Sequence, residues 1–270
     1  MAESPNQIDT TAARAYENYM VPSLFGPWVE DVMALAQLQP AECVLDVACG
    51  TGTATHIAAK RVAPKGSVAG LDVDPGMIEV ARSKPLSADA VRVTWHCDDA
   101  LKLPFQDGSF DAVLCLQGLQ FFPDKVAGLK EMRRVLRGAG RLAASVWRAI
   151  EHCKGHDALA KVLQRHGIDA QAARRPFSLG DAEDLVGSAR KAGFHNVKVQ
   201  AVTKLIRFPS PQAFVENLAA GAPSTRHALA KVPDTQRQQL IAEVGAELQP
   251  HVDANGVGIP YASHLLLAHP

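Results

Sequence analysis

The sequence carries no net charge: 28 Lys and Arg residues balance 28 Asp and Glu residues in a chain of 270. Without a strong global field, and with no strip of interleaved aromatic and basic residues, nothing in the composition draws the chain to nucleic acid or to an anionic membrane. Basic runs such as "EMRRVLRG" have helix-face spacing and read as solvated surface. No apolar run reaches membrane-spanning length, and "YASHLLLA" falls far short. The five cysteines (Cys43, Cys49, Cys97, Cys115 and Cys153) form an odd set without CxxC spacing. Cys43, Cys97 and Cys115 lie in or beside apolar strand-like runs, so buried free thiols are expected rather than a disulfide framework or a zinc site. HExxH is absent too, and no metal site is expected. The opening "MAESPNQIDTT" lacks the basic and apolar regions of a signal peptide. The expectation is a soluble, reduced, cytoplasmic protein.

What is present is an alternation of short apolar runs with helix-length segments, the pattern of a parallel sheet covered by helices on both faces. Strands are expected at Cys43–Ala48, Ser67–Val73, Val91–His96, Phe110–Leu116 and Arg141–Val146, whose Val, Leu, Ala and Cys content suits burial on both sides. Helices are expected over Thr53–Val62, Asp74–Arg82 (with Asp as cap and Pro next), Asp124–Arg137 and Asp181–Ala192, the last ended by Gly193. "HNVKVQAVTKLIRF" reads as a long strand and Tyr261–Ala268 as the last one. Between these two lie about 50 residues of helical composition, far beyond a hairpin loop. The expected fold class is α/β: a doubly wound, mostly parallel, seven-stranded sheet in a single domain over residues 1–270. Its parts are an N-terminal helical lid (12–38), a Rossmann-like core (40–208 and 258–270) and a helical insertion (209–257).

The core opens with "VLDVACGTGT", Val44 to Thr53. In an open parallel sheet, ligands bind beyond the carboxyl ends of the strands. Gly50 and Gly52 let the backbone approach a ligand there, and the following helix N-terminus offers free N–H groups and positive potential. These features suit a phosphate or a carboxylate equally. Asp46 discriminates. A carboxylate buried at a strand end needs a partner, would repel a pyrophosphate, and favours an ammonium group or loop N–H donors. A nucleoside joined to a zwitterion, as in S-adenosylmethionine, fits.

"VLDVACGTGTAT" resembles motif I of class I S-adenosylmethionine-dependent methyltransferases, in the branch that holds the ubiquinone and menaquinone C-methyltransferases. The resemblance continues through "GLDVDPGMIEVAR", "HCDDALKLPFQDGSFDAVLCLQGLQFFPD" and "LKEMRRVLRGAGRLAASVW", roughly residues 40 to 148, and "AGFHNVKV" is similar to the later helix–strand step. It implies S-adenosylmethionine as cofactor. Asp46, Ala48 and the backbone of Gly50, Thr51 and Gly52 would surround its methionyl end. Asp72, with Val73 beside it, would take both ribose hydroxyls on its two oxygens. Met77 would pack on adenine, and Asp99 with Ala100 would meet the adenine amino edge. Asp98 is an alternative one position away. Gln117 would lie near the sulfonium and the acceptor. Tyr16 is the first choice among the N-terminal aromatics for a cofactor contact, whereas Phe25 and Trp28 read as anchors to the core.

The implied reaction is methyl transfer by in-line displacement to a small, partly apolar acceptor. The leaving group is neutral, so positioning and desolvation supply most of the effect. Relatives often carry histidine where this chain has Gln120, which cannot take a proton near neutral pH. The catalytic residue therefore stays open, with Gln117, Gln120 and His152 as weak candidates. His152 and His156, four apart in "WRAIEHCKGH", read as solvated residues rather than a metal or base pair. Phe121 and Phe122 are candidates for an apolar acceptor wall, with at least one of them in the core. Asp107 and Asp111, around Gly108, read as structural and solvated. Two other readings stay alive: an NAD(P)-dependent oxidoreductase, given glycines and an acid about 20 residues later, and a non-catalytic S-adenosylmethionine-binding protein. The neutral charge is compatible with a homodimer.

Overall fold

The structure is a computed structural model that describes residues 8–222, 225–226, 229 and 232–270. Its centre is a sheet in the order β3-β2-β1-β4-β5-β8-β6, formed by β1 (Cys43–Val47), β2 (Ser67–Asp72), β3 (Val93–Cys97), β4 (Phe110–Leu116), β5 (Leu136–Trp147), β6 (His195–Phe208) and β8 (Gly256–His269). The pairings from β3 to β5 are parallel, and β8 runs antiparallel to both β5 and β6. A two-residue strand, β7 (Val252–Asp253), pairs with the start of β8. The expected doubly wound, mostly parallel sheet of seven strands holds, with β7 added at its margin.

Strict alternation along the strands builds two apolar layers. Val44, Val68, Ala112, Leu114 and Ala143 face α2 (Val29–Ala36) and α3 (Thr53–Arg61). Their neighbours Leu45, Ala69, Val113, Cys115 and Leu142 face α5 (Lys125–Val135) and α8 (Ala182–Lys191). Three aspartates start helices as caps: Asp74 for α4 (Pro75–Ser83), Asp124 for α5 and Asp181 for α8. Each carboxylate accepts first-turn N–H groups that the helix itself leaves unpaired.

A third apolar cluster lies beyond the carboxyl end of β5. There Trp147 and Tyr261 meet α6 (Lys154–Arg165), α7 (Gln171–Arg174), α9 (Pro211–Gly221) and α10 (Asp234–Leu248) in one cluster. The N-terminal segment joins this cluster through α1 (Thr11–Ala15) and a π-helical stretch, Tyr16–Phe25, with Pro22 inside it. Met20, Leu24 and Trp28 are buried in the cluster.

Several boundaries differ from the sequence reading. β8 starts at Gly256 rather than Tyr261, because the fourteen-residue β6 offers partners along its full length. The insertion's helices therefore end by His251, and the chain turns through Asp253–Asn255 into β8. Residues 223–224, 227–228 and 230–231 of the expected 209–257 insertion lie outside the described residues. β5 begins at Leu136, which pairs with Phe110 ahead of a bulge, so the helix before it stops at Val135 rather than Arg137. α6 was not anticipated at all. Cys97 is exposed rather than buried, because it ends β3, while all five thiols are free. Asp107 is solvated as expected, 79% exposed while paired with Arg134, whereas Asp111 is half-buried and paired with Arg137.

Arg141 ties the first layer to the sheet. Its guanidinium donates to the Ala36 and Gln37 carbonyls at the end of α2 and grips the Glu42 carboxylate at 2.7 and 2.8 Å. Arg141→Gln leaves these half-buried acceptors without a charged donor. The expected result is a loss of about 1–3 kcal/mol in a urea titration, with the denaturant slope unchanged.

Candidate functional site

Asp46 is the penultimate residue of β1, at its carboxyl end, and is 1% exposed. One of its oxygens accepts a 2.6 Å hydrogen bond from Thr55, one turn into α3. The other, Oδ1, is buried without a partner among the described residues. Burial pushes the Asp46 carboxyl up to about 7, against the pull of the Thr55 bond, and the Asp72 charge adds to the rise. An acid held in this way waits for a cation or a donor. Thr51 and Thr53 on the adjoining loop also bury hydroxyl oxygens that have no partner. Three unsatisfied polar atoms thus surround one short loop, where buried polar groups are ordinarily paired.

The loop's shape follows from close packing. Gly52 has φ +81°, and a Cβ there would come within 2.5 Å of the Trp95 ring. Trp95, on β3, slides beneath the loop and also covers Gly70 of β2. At the neighbouring strand ends, Ala48 and Gln117 hold φ of +56° and +54°, which non-glycine residues rarely adopt. Such strain concentrates at ligand sites. Gly118 lets the two strand ends meet, since a Cβ there would lie 2.5 Å from that of Ala48.

Asp72 ends β2 and binds the loop directly: its oxygens accept from Gly50 N at 2.8 Å and from Asp74 N at 3.0 Å. Burial raises its carboxyl, and these two N–H donors draw it back. A carboxylate has room for about four such bonds, so acceptor sites remain for a ligand. Tyr16 roofs the loop, its ring within 4 Å of where a Gly50 Cβ would stand. Burial and the facing Asp72, Glu17 and Asp46 charges hold its phenol protonated, well above the usual range. Glu17 is pinned to Lys84 at 2.9 Å. Tyr16, Phe25, Asp46, Ala48, Thr51 and Leu116 line one pocket.

The other sequence candidates spread out from this pocket. Val73 is 71% exposed, Met77 is half-buried, and Asp98 and Asp99 are exposed with Ala100 half-buried beside them. They form an open rim at the ends of β2 and β3. Gln117 is buried and turns its amide to Ser263 on β8 at 2.7 Å. Gln120 follows it into the interior. His152 is exposed, and its ring lies 3.1 Å from the Arg148 guanidinium. His156, expected in solvent, is instead buried: its Nδ1 lies 2.7 Å from the Tyr261 hydroxyl, and burial lowers it to about 4. It starts α6 against the sheet, so the two histidines form no pair. Phe122 is in the core, while Phe121 is 55% exposed. Trp28 anchors the core as expected, and Phe25 packs against the same cluster while also lining the pocket.

Sequence reasoning did not single out Thr55, Trp95 or Ser263. Only "GTGTAT" held a signal, since a threonine one turn into α3 can reach back to the strand before it. Trp95 and Ser263 arrive through strand order.

Residues 44–140 match a family model described as a methyltransferase domain. The chain is 40% identical over 116 residues to a demethylmenaquinone methyltransferase of Listeria monocytogenes serotype 4a (strain HCC23), covering 43% of this chain and 49% of the relative. It is 41% identical over 113 residues to the enzyme of that name from Staphylococcus aureus (strain JH9), covering 42% and 46%. The match thus spans about half the length of these curated relatives. Phosphoethanolamine N-methyltransferase 2 of Haemonchus contortus, solved with S-adenosyl-L-methionine, shares the fold at TM-score 0.60 and 19% identity, over 97% of this chain and 57% of that one. A SAM-dependent methyltransferase from Aquifex aeolicus aligns at TM-score 0.56 and 17% identity, over 98% and 100%.

The residues present suit the cofactor that this family uses. The unpartnered oxygen of Asp46 and the Thr51 and Thr53 hydroxyls offer acceptors and donors to a zwitterionic tail, and the loop leaves no room for bulk at Gly52. Residues 44–140 of this chain match a methyltransferase domain and are similar over that stretch to demethylmenaquinone methyltransferases, and S-adenosylmethionine is the cofactor that such a domain takes.

Proposed function

We propose that the protein transfers a methyl group from S-adenosylmethionine to a small, partly apolar acceptor. The observation that carries this reading is the buried Asp46 carboxylate, satisfied by Thr55 on one oxygen and by nothing on the other. The curated relatives are named for demethylmenaquinone, which supports an aromatic ring as the acceptor class.

The cofactor supplies a methyl group on a positively charged sulfur when bound. The chain's own residues hold and shield. In this reading Asp46 and the Thr51 and Thr53 hydroxyls bind the amino-acid tail, and Asp72 binds the ribose. Val73, Met77, Asp98, Asp99 and Ala100 form the adenine rim. Tyr16 and Phe25 cover the loop and exclude water, which strengthens the charge–charge contact at Asp46. Displacement from a sulfonium releases a neutral thioether, so no general acid is needed. Gln117 and Gln120 cannot act as bases, which leaves orientation as their part.

Two measurements test this. Calorimetric titration of wild type should show binding of S-adenosylmethionine and S-adenosylhomocysteine and none of NADH. Asp46→Asn should weaken S-adenosylhomocysteine by about 1–3 kcal/mol, the range for a lost charged hydrogen-bond partner, while unchanged affinity would remove the basis of the assignment. The second concerns pH and the unliganded protein. Because the folded carboxyl lies near 7 and the unfolded one near 3.9, the folded state is favoured below the lower value. That advantage disappears as pH rises to about 7. Thermal melts should therefore show wild type losing stability relative to Asp46→Asn between pH 4 and 7. A constant difference across that range would contradict the buried, unpaired carboxylate.

A further inference from the structure

Beside the cofactor pocket, at the carboxyl ends of β4 and β5, lies a chain of buried amides and hydroxyls with one direction. Ser263 donates to the Val146 carbonyl at 2.7 Å. Its one proton is spent there, so toward Gln117 it can only accept, and it takes Nε2–H of Gln117 at 2.7 Å. That fixes the Gln117 amide with its oxygen toward Gln120, which donates its own Nε2–H at 3.2 Å. The Gln120 amide is fixed in turn, with its nitrogen inward. Its oxygen, Oε1, is left buried and, among the described residues, without a partner, on a residue that is 2% exposed. The Gln120 main chain is held as well, by Ser178 on its carbonyl at 2.9 Å. A backbone carbonyl at one end therefore sets the polarity of an amide two side chains away. The chain also adjoins the cofactor pocket: Leu116, which lines that pocket, precedes Gln117, and Gly118 touches the Ala48 loop end.

We propose that Gln120 Oε1 is a specificity-determining acceptor, which selects methyl-accepting substrates presenting a hydrogen-bond donor, a ring hydroxyl, over analogues that present only an acceptor. The inference rests on the methyltransferase reading and deepens it. A ring carbonyl or ether oxygen at that place would face Oε1 lone pair to lone pair and leave both unsatisfied. A hydroxyl satisfies both. A site with a buried polar group rejects the analogue that cannot pair with it far more strongly than an apolar site rejects a change of size. Because Ser263 holds the relay's direction, it is a positioning residue: without it, both amides are free to turn over.

The test uses the full chain saturated with S-adenosylhomocysteine, whose binding is measured first. Failure of that binding would count against the methyltransferase reading itself. Matched probe pairs then differ by one donor: phenol against anisole, and 1-naphthol against 1-methoxynaphthalene, each titrated by calorimetry. Wild type should prefer the hydroxyl member of at least one pair by about tenfold or more. Gln120→Met should abolish that preference, and Ser263→Ala should shrink it severalfold, while both variants bind S-adenosylhomocysteine as wild type does. A purely structural role for the relay would alter stability and leave the ratio between partners in a pair unchanged. With S-adenosylhomocysteine bound, the inference is overturned if no pair is discriminated, if no probe binds, or if Gln120→Met or Ser263→Ala keeps the wild-type ratio.

Discussion

A single buried carboxylate, Asp46, governs the organisation of the site. It lies inside β1 with apolar residues on both sides, where an unpaired charge is costly. The fold answers half of that cost with the Thr55 hydroxyl and leaves the other half unanswered among the described residues. The surroundings follow from this arrangement. The loop after β1 must pass close to the carboxylate, which requires strained backbone at Ala48 and a glycine against the Trp95 ring. Asp72 draws the loop to β2 through Gly50. Tyr16 closes the space above, its phenol kept protonated by burial first and by the facing Asp72 carboxylate second.

The same logic of incomplete satisfaction recurs at the neighbouring strand ends. Gln117, with its positive φ, donates its amide N–H to Ser263 and accepts from Gln120 on its amide oxygen. The amide it presents to Gln120 is oriented by a carbonyl on β5, so polarity passes from the sheet to a side chain. Around both polar sets the third apolar cluster supplies a dry wall. Phe25, Trp147 and Tyr261 succeed one another at ring separations of 6.0 and 5.6 Å. Low polarity there makes each unpaired atom count for more.

Much of the fold was legible because local signals agreed with the tertiary outcome. Continuous apolar runs gave β1, β2 and β4, and Asp74, Asp124 and Asp181 marked helix starts through capping chemistry. The glycine loop and Asp46 were legible for a different reason: an acid inside an apolar run contradicts its neighbours and so points to a ligand. What stayed hidden depended on pairing across the chain. Nothing near Ser263 in sequence says that it meets Gln117, 146 positions away. His156 looked solvated because its burial is set by Tyr261 and Phe214, which come from the last strand and the insertion. The length of β8 was set by β6 rather than by its own composition.

The central claim, that Asp46 is neutral when buried alone and becomes a carboxylate against the cationic end of its ligand, has a direct thermodynamic signature. Binding of S-adenosylhomocysteine at pH 6, followed by calorimetry in buffers of different ionisation enthalpy, counts the protons exchanged. The account predicts release of about one proton by wild type, as expected for a group near 7 driven to ionise, and none by Asp46→Asn. Equal proton release by the two proteins would contradict it.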